Sequence, residues 1–285
     1  MTMAWSTLVQ AEALAAALGR EDLAVVDCRH SLADPQAGAQ AFAAGHVPGA
    51  VHAHMDRDLS GTAEPGAGAG RHPWPDAAAF CARLGAWGIT AHHQVVAYDG
   101  GDGSFAARLW SLLRALGHKS VAVLDGGWAQ WRSLGLPVET AASKPAPARY
   151  VARFDRSLLL DADAVQRHLQ AGGLLLDARG TARFRGEEEP IDPVAGHVPG
   201  AVNRPYADNI GEDGRFRAAE ELRGEFEQLM AGRDAGQVAV MCGSGVTACH
   251  HLLAMAHAGL PGAKLYTGSW SGWIEDPERP VATGG

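Results

Sequence analysis

The chain has 285 residues, of which 47% are hydrophobic and 20% charged, and its formal net charge is -8. That length holds two domains of ordinary size, and the composition is that of a soluble, globular protein. The acidic balance leaves no basic footprint for nucleic acid, no run approaches the ~18 apolar residues of a membrane span, and four cysteines without a Cys-x-x-Cys pair point to reduced thiols in a cytoplasmic setting.

The opening stretch MTMAWSTLVQAEALAAALGRED carries no basic region before an apolar core, and reads as a short strand or loop followed by an amphipathic helix. Apolar runs at 23–26, 94–97 and 121–124, bounded by Asp, Gly or His, read as buried strands, with a helix over 104–116. DRDLSGTAEPGAGAGRHPWPD, at 56–76, is Gly/Pro-rich and reads as a non-strand excursion. AASKPAPARY, at 141–150, reads as a linker. Apolar runs then return at 174–176, 237–241 and 263–266, with a helix near 246–258. Short buried strands alternating with helices predict α/β architecture, a parallel sheet covered on both faces in each half.

The halves are copies. GHVPGAV occurs at 45–51 and again at 196–202. VVDCR ends at Arg29 and LLDAR at Arg179; VVAYD ends at Asp99 and VAVMC at Cys242; LDGGW ends at Trp128 and YTGSW at Trp270. Four motif pairs in one order predict two tandem domains, 1–141 and 151–285, joined by 142–150. Two copies already bury the face that one copy would offer a partner, which predicts a monomer.

The second copy carries the chemistry. Cys242 ends an apolar run, and CGSGVTA then leads into a helix expected to begin near Val246 or Thr247. Ligands in open α/β sheets bind beyond the carboxyl ends of strands. Gly243 and Gly245 permit backbone shapes that turn amide N–H groups inward, and a helix N-terminus adds positive partial charge. Both favour a thiolate, and equally a persulfide, over a buried neutral thiol. Thr247 is placed to cap the helix. The Cys-x5-Arg spacing that holds phosphate in cysteine phosphatases is absent, because Ala248 stands in the arginine's place. Cys249-His250-His251 offers no metal-ligand spacing, since neighbouring helical side chains diverge by about 100°; the two histidines are expected on the helix surface.

These motifs together resemble the two-domain rhodanese superfamily of sulfurtransferases over nearly the whole chain. The resemblance implies that the C-terminal copy is catalytic and that the first copy, with Asp99 in the cysteine's place, is structural or closes over substrate. It implies transfer of a sulfane sulfur through a Cys242 persulfide, with no metal and no organic cofactor. The sulfur comes from a small-molecule donor and passes to a thiol or a thioredoxin-like protein. CGSGVTA is similar to the branch that uses 3-mercaptopyruvate, because Gly243, Ser244 and Gly245 stand where thiosulfate-preferring members carry basic residues. Thiosulfate as donor, or a carrier that holds sulfur without turnover, are the alternatives.

The resemblance to the mercaptopyruvate branch implies that Ser244 relays a proton and that His46 is the histidine brought to it; Asp34 could orient His46, although no motif fixes that assignment. Arg183 matches a substrate-binding arginine, with Gly243, Gly245, Val246 and Thr247 forming the rest of the substrate loop. A second arginine of that pattern is missing, because Ile191 follows Pro190; Arg185 or the first copy could replace it. Arg71 and His72, in GRHPWP, could reach the site or lie on the surface. Arg179 is expected to pair with a nearby acid, and His197 to bond its own turn.

Overall fold

The computed structural model describes residues 4–64 and 66–285, so the first three residues of the opening stretch and Pro65 of the Gly/Pro-rich excursion lie outside the described residues. The chain forms two compact units. Unit 1 holds β1 (Leu8–Val9), α1 (Ala11–Ala17), β2 (Leu23–Asp27), α2 (Ala37–Ala44), β3 (Val51–His52), α3 (Met55–Asp58), α4 (Ala77–Ala86), β4 (Gln94–Tyr98), α5 (Ala106–Ala115), β5 (Val121–Leu124) and α6 (Gly127–Ser133). Its five strands are parallel and ordered β1-β5-β4-β2-β3.

Unit 2 repeats the plan with β6 (Leu159–Leu160), α7 (Ala162–Gln170), β7 (Leu174–Asp177), α8 (Thr181–Arg185), β8 (Val202–Asn203), α9 (Ala219–Met230), β9 (Val238–Met241), α10 (Ala248–His257), β10 (Lys264–Tyr266) and α11 (Ser269–Trp273). Its strand order, β6-β10-β9-β7-β8, matches position for position, and its strands are parallel too.

The central strands explain the sheets. QVVAY in β4 and VAVM in β9 are buried at every residue, as strands covered on both faces require. β2 runs against β4 from Leu23↔Gln94 to Asp27↔Tyr98, and β7 against β9 from Leu174↔Val238 to Asp177↔Met241. Two helix starts carry aspartate side-chain caps. The Asp76 carboxylate accepts from Ala78 N and Ala79 N, and the Asp161 carboxylate accepts from Ala164 N. Leu14, Val96, Tyr98 and Trp131 pack in the core of unit 1, and Val165, Met241, Trp270 and Trp273 in that of unit 2. Each such side chain contributes about 1.5–3 kcal/mol by leaving water.

The Asp-x-Arg motif after β2 and β7 is a buried fork in both units. Arg29 grips Asp27 through Nε and Nη2 and donates to Gly45 O at 2.7 Å; Arg179 grips Asp177 in the same way and donates to Gly196 O at 2.7 Å. Each guanidinium lies over a tryptophan, Trp128 at 4.6 Å and Trp270 at 4.8 Å. The fork ties the strand end to the Gly-His-Val-Pro-Gly turn, which accounts for the recurrence of both motifs.

Two details depart from a division into sequence halves. Residues 142–150 lie against unit 1: Ala148 N donates to Gly85 O at 2.8 Å, and Tyr150 OH meets His118 Nδ1 at 2.9 Å. The units also trade equivalent segments. Gly61–Trp74 packs with unit 2 and Glu212–Phe216 with unit 1, each beginning 15 residues after its own turn histidine, His46 or His197. In unit 1, Phe216 N donates to Asp125 Oδ1 at 2.9 Å. Among the described residues no helix is long and apolar enough to cross a membrane.

Candidate active site

Cys242 directly follows β9, the middle strand of the unit 2 sheet. Its loop is tied down along its backbone. Cys242 N donates to Ser269 Oγ at 3.1 Å, Trp270 N to Cys242 O at 3.0 Å, and Ser271 N to Gly243 O at 2.8 Å. The sulfur accepts a hydrogen bond from Gly245 N at 3.2 Å, so the loop aims an amide at it as the sequence suggests. Gly245 has φ +77°, a conformation that strains any residue with a Cβ. Val246 is buried and α10 begins at Ala248. Thr247 stands at the N-cap but makes no side-chain capping bond, because its own backbone is already helical (φ -69°, ψ -17°). Capping is therefore not its role here.

Two guanidinium groups converge on Gly243. A Cβ placed there would lie 3.2 Å from Arg71 Nη2 and 3.6 Å from both terminal nitrogens of Arg183. Arg183 projects from α8 and donates to Glu189 through Nε and Nη2, at 3.0 and 2.7 Å to Oε1, and to Asp192 through Nη2 at 3.2 Å. Arg71 binds Asp192 through Nη1. Both carboxylates are almost wholly buried. Burial works to raise Glu189, but hydrogen bonds from Arg183 and from the amides of Asp192 and Ile191 outweigh it and leave its carboxyl below the usual range. Burial pushes Asp192 up, with Glu189 adding to the effect and Arg71 opposing it. Two buried acids thus fix two arginines beside the cysteine loop. Neither acid was singled out from sequence, where EEEPID bears only on the arginine missing at Ile191.

His72 follows Arg71, and its Nδ1 lies 2.8 Å from Ser244 Oγ, both residues being buried. The expectation that His46 would be this histidine is corrected. His46 is wholly buried in unit 1, its ring stacked on Phe42 at 3.8 Å, with Nδ1 at 2.7 Å from Phe42 O. His197 repeats this in unit 2, stacked on Phe184 at 3.8 Å with Nδ1 at 2.8 Å from Phe184 O. Both histidines lock the turn they sit in. Asp34 does not orient an imidazole; its carboxylate accepts from Gln36 N at 2.9 Å. Arg185 is not beside Arg183. Two positions along α8 turn it about 200° away, where Nε donates to Gly285 O at 2.8 Å. The second cation at the loop is Arg71.

The matching loop of unit 1 is filled by its own side chain. The Asp99 carboxylate accepts from Gly101 N and Gly103 N through Oδ1, at 3.1 and 3.0 Å, and from Phe105 N and Ala106 N through Oδ2, at 2.9 and 3.1 Å. Burial pushes this carboxyl up to about 6, with Asp102 adding to the effect and the amides opposing it. Here the amide cradle inferred for the cysteine loop is seen around a fixed anion.

His250 and His251 are not on a helix surface, as expected from sequence, but fully buried. The Asn209 amide nitrogen lies 2.9 Å from His250 Nδ1 and 3.0 Å from His251 Nδ1, and His251 Nε2 lies 2.7 Å from Arg204 O. A single amide that serves two rings makes the adjacent pair compatible with the core. Among the described residues no group of three or more His, Cys, Asp or Glu side chains is arranged to hold a metal.

The rhodanese-like domain profile matches residues 10–134 and 161–276. A Pseudomonas aeruginosa protein named "Probable 3-mercaptopyruvate sulfurtransferase" is 50% identical over 284 residues, covering 99% of this chain and 100% of that one. The thiosulfate sulfurtransferase of Bos taurus is 38% identical over 218 residues, covering 74% of this chain and 73% of the relative. Among solved structures, the 3-mercaptopyruvate sulfurtransferase from Leishmania major superposes with a TM-score of 0.81 at 32% identity, covering 93% of this chain and 73% of that one.

Proposed function

The chain belongs to the rhodanese-like family, and from that premise we propose that it is a sulfurtransferase that takes sulfur from 3-mercaptopyruvate. The observation that carries the donor assignment is the grouping at Gly243–Ser244: Arg71 and Arg183 beside the loop, and His72 on the serine hydroxyl. Guanidinium groups are suited to a carboxylate, and a histidine–serine pair is suited to moving one proton.

In this reading the Cys242 thiolate attacks the donor's sulfur. A sulfur–sulfur bond forms, and the carbon–sulfur bond breaks with its electron pair passing into the enolate of pyruvate. The donor's thiol proton is relayed through Ser244 and His72 to the methylene carbon. Pyruvate leaves, and Cys242 carries Cys–S–S⁻. An acceptor nucleophile then attacks the outer sulfur and returns the thiolate. Cyanide leaves as thiocyanate, and a thiol leaves as its own persulfide. This is covalent catalysis in two half-reactions and gives ping-pong kinetics. Gly245 N donates to the sulfur that is anionic at the start and end of the cycle. Unit 1, whose loop is filled by Asp99, takes no sulfur. The acceptor is a small thiol or a thioredoxin-like protein, and the working form is a cytoplasmic monomer.

The test compares kcat/KM for 3-mercaptopyruvate and thiosulfate with one acceptor. A clear preference for the 2-oxo acid supports the assignment, and a preference for thiosulfate replaces it. Release of a single thiocyanate per chain under excess donor would mark a sulfur carrier instead of an enzyme.

A further inference from the structure

The described residues of the segment that brings Arg71 and His72 to the cysteine loop form no helix or strand, so something else must fix its path. From Gly61 to Trp74 it packs with unit 2. The half-buried Glu275, just past α11, reaches it with both carboxylate oxygens: Oε2 accepts from Gly68 N at 2.9 Å and Oε1 from Gly70 N at 3.2 Å. One residue on, Arg71 N donates to Ser271 Oγ at 3.1 Å. Between these bonds the backbones touch. A Cβ at Gly70 would overlap Gly268 O and Ser271 Oγ, and a Cβ at Gly268 or Gly272 would overlap Gly68 O. The same turn of α11 holds the catalytic loop, through Ser271 N to Gly243 O and Trp270 N to Cys242 O. Both sides of the site thus hang on residues 268–275.

We infer that Glu275 is a positioning residue for sulfur transfer: by holding the Gly68 and Gly70 amides it sets the reach of Arg71 and His72 to Gly243 and Ser244. The inference rests on the catalytic reading of His72. Two charge-assisted hydrogen bonds accepted by one carboxylate fix both the height and the twist of the segment two residues before the histidine. A displacement of about 1 Å at a reacting group costs on the order of 100-fold in rate. Glu275 lines an open cavity of about 380 Å³ with Gly66, Ala67, Gly68, Gly272, Asp276, Pro277 and Arg279. Water can enter there when the carboxylate is removed, so a variant at 275 leaves no dry void.

The test is a double-mutant cycle on the full-length protein, read as kcat with 3-mercaptopyruvate, with melting temperature measured alongside. Glu275→Ala is expected to lower kcat by about 10- to 100-fold. Glu275→Gln, which keeps one acceptor oxygen, is expected to recover part of the rate. In a His72→Asn background Glu275→Ala is expected to cost little more, because the residue through which it acts is already gone. Full activity in Glu275→Ala while His72→Asn is slow would overturn the positioning role alone, as would losses that simply multiply. His72→Asn at the wild-type rate would overturn the catalytic reading beneath it as well.

Discussion

Asp99 and Cys242 stand at the same point of their sheets, each just past the middle strand, and each offers its carbonyl to a tryptophan amide: Trp128 N to Asp99 O at 2.8 Å, Trp270 N to Cys242 O at 3.0 Å. One loop holds a carboxylate by four amides, and the other aims the Gly245 amide at a sulfur. The same backbone position thus presents a carboxylate in unit 1 and a cysteine in unit 2, and in the proposed reaction only the cysteine can attack and be attacked.

Cys242→Ser is expected to abolish both thiocyanate production and the persulfide seen by mass spectrometry. Cys28→Ser should retain both. Burial, with Asp27 adding to it, pushes the Cys28 thiol well above its ordinary range, so it supplies no thiolate at neutral pH. Persulfide on Cys28 in the wild-type protein would contradict this.

His72→Ala and Ser244→Ala are each expected to lower kcat by about 10²–10⁴-fold, the range for a lost general acid–base group. His46→Ala should lower the melting temperature and leave kcat near normal, because its ring packs on Phe42 inside unit 1. A His46→Ala enzyme that is folded but inactive would return the catalytic role to that residue.

Arg71→Ala should raise KM for the carboxylate donor by about 10- to 150-fold, the equivalent of ~1.5–3 kcal/mol for a hydrogen bond to a charged group. Arg183→Lys should raise KM less, keeping a positive charge beside Glu189 but losing the planar fork. Arg185→Ala should leave KM unchanged, since its Nε is engaged by Gly285 O. Steady-state kinetics on the three variants separates these outcomes.

His251 sets a pH dependence. Burial, with nearby Arg204 adding to it, holds the imidazole down at about 3, against an ordinary value near 6.5. The folded state therefore binds fewer protons than the unfolded chain between those values. Stability from this group is fully present above pH 6.5 and falls as the pH drops, by about 1.4 kcal/mol per pH unit at most. Chemical denaturation at pH 7 and pH 5 should show the loss, and His251→Gln should flatten it. An unchanged slope in that variant would assign the acid sensitivity elsewhere.

Much of this was readable from residue order. The paired motifs located both sheets, and the buried runs fell within a residue or two of β2, β4, β5, β7, β9 and β10. Those signals are local: a period, a glycine, a repeated heptapeptide. What was missed depends on distant chain segments meeting. GRHPWP carries no periodicity that places it beside Ser244, and no local pattern in EEEPID pairs Asp192 with Arg183 and Arg71. The resemblance to the mercaptopyruvate branch drew attention to His46, yet its ring makes the same kind of turn-holding bond as His197. His250 and His251 were read as surface because adjacent helical positions diverge. Asn209 satisfies both rings from an element no local pattern connects to them.

The segments beginning at Gly61 and at Glu212 each belong to the unit built mainly from the other half of the chain. A polypeptide cut between residues 142 and 150 would yield a C-terminal piece that owns the proposed nucleophile, Cys242, but lacks Arg71 and His72. Such a piece should be inert alone and regain turnover only when the N-terminal piece is co-expressed to complement it.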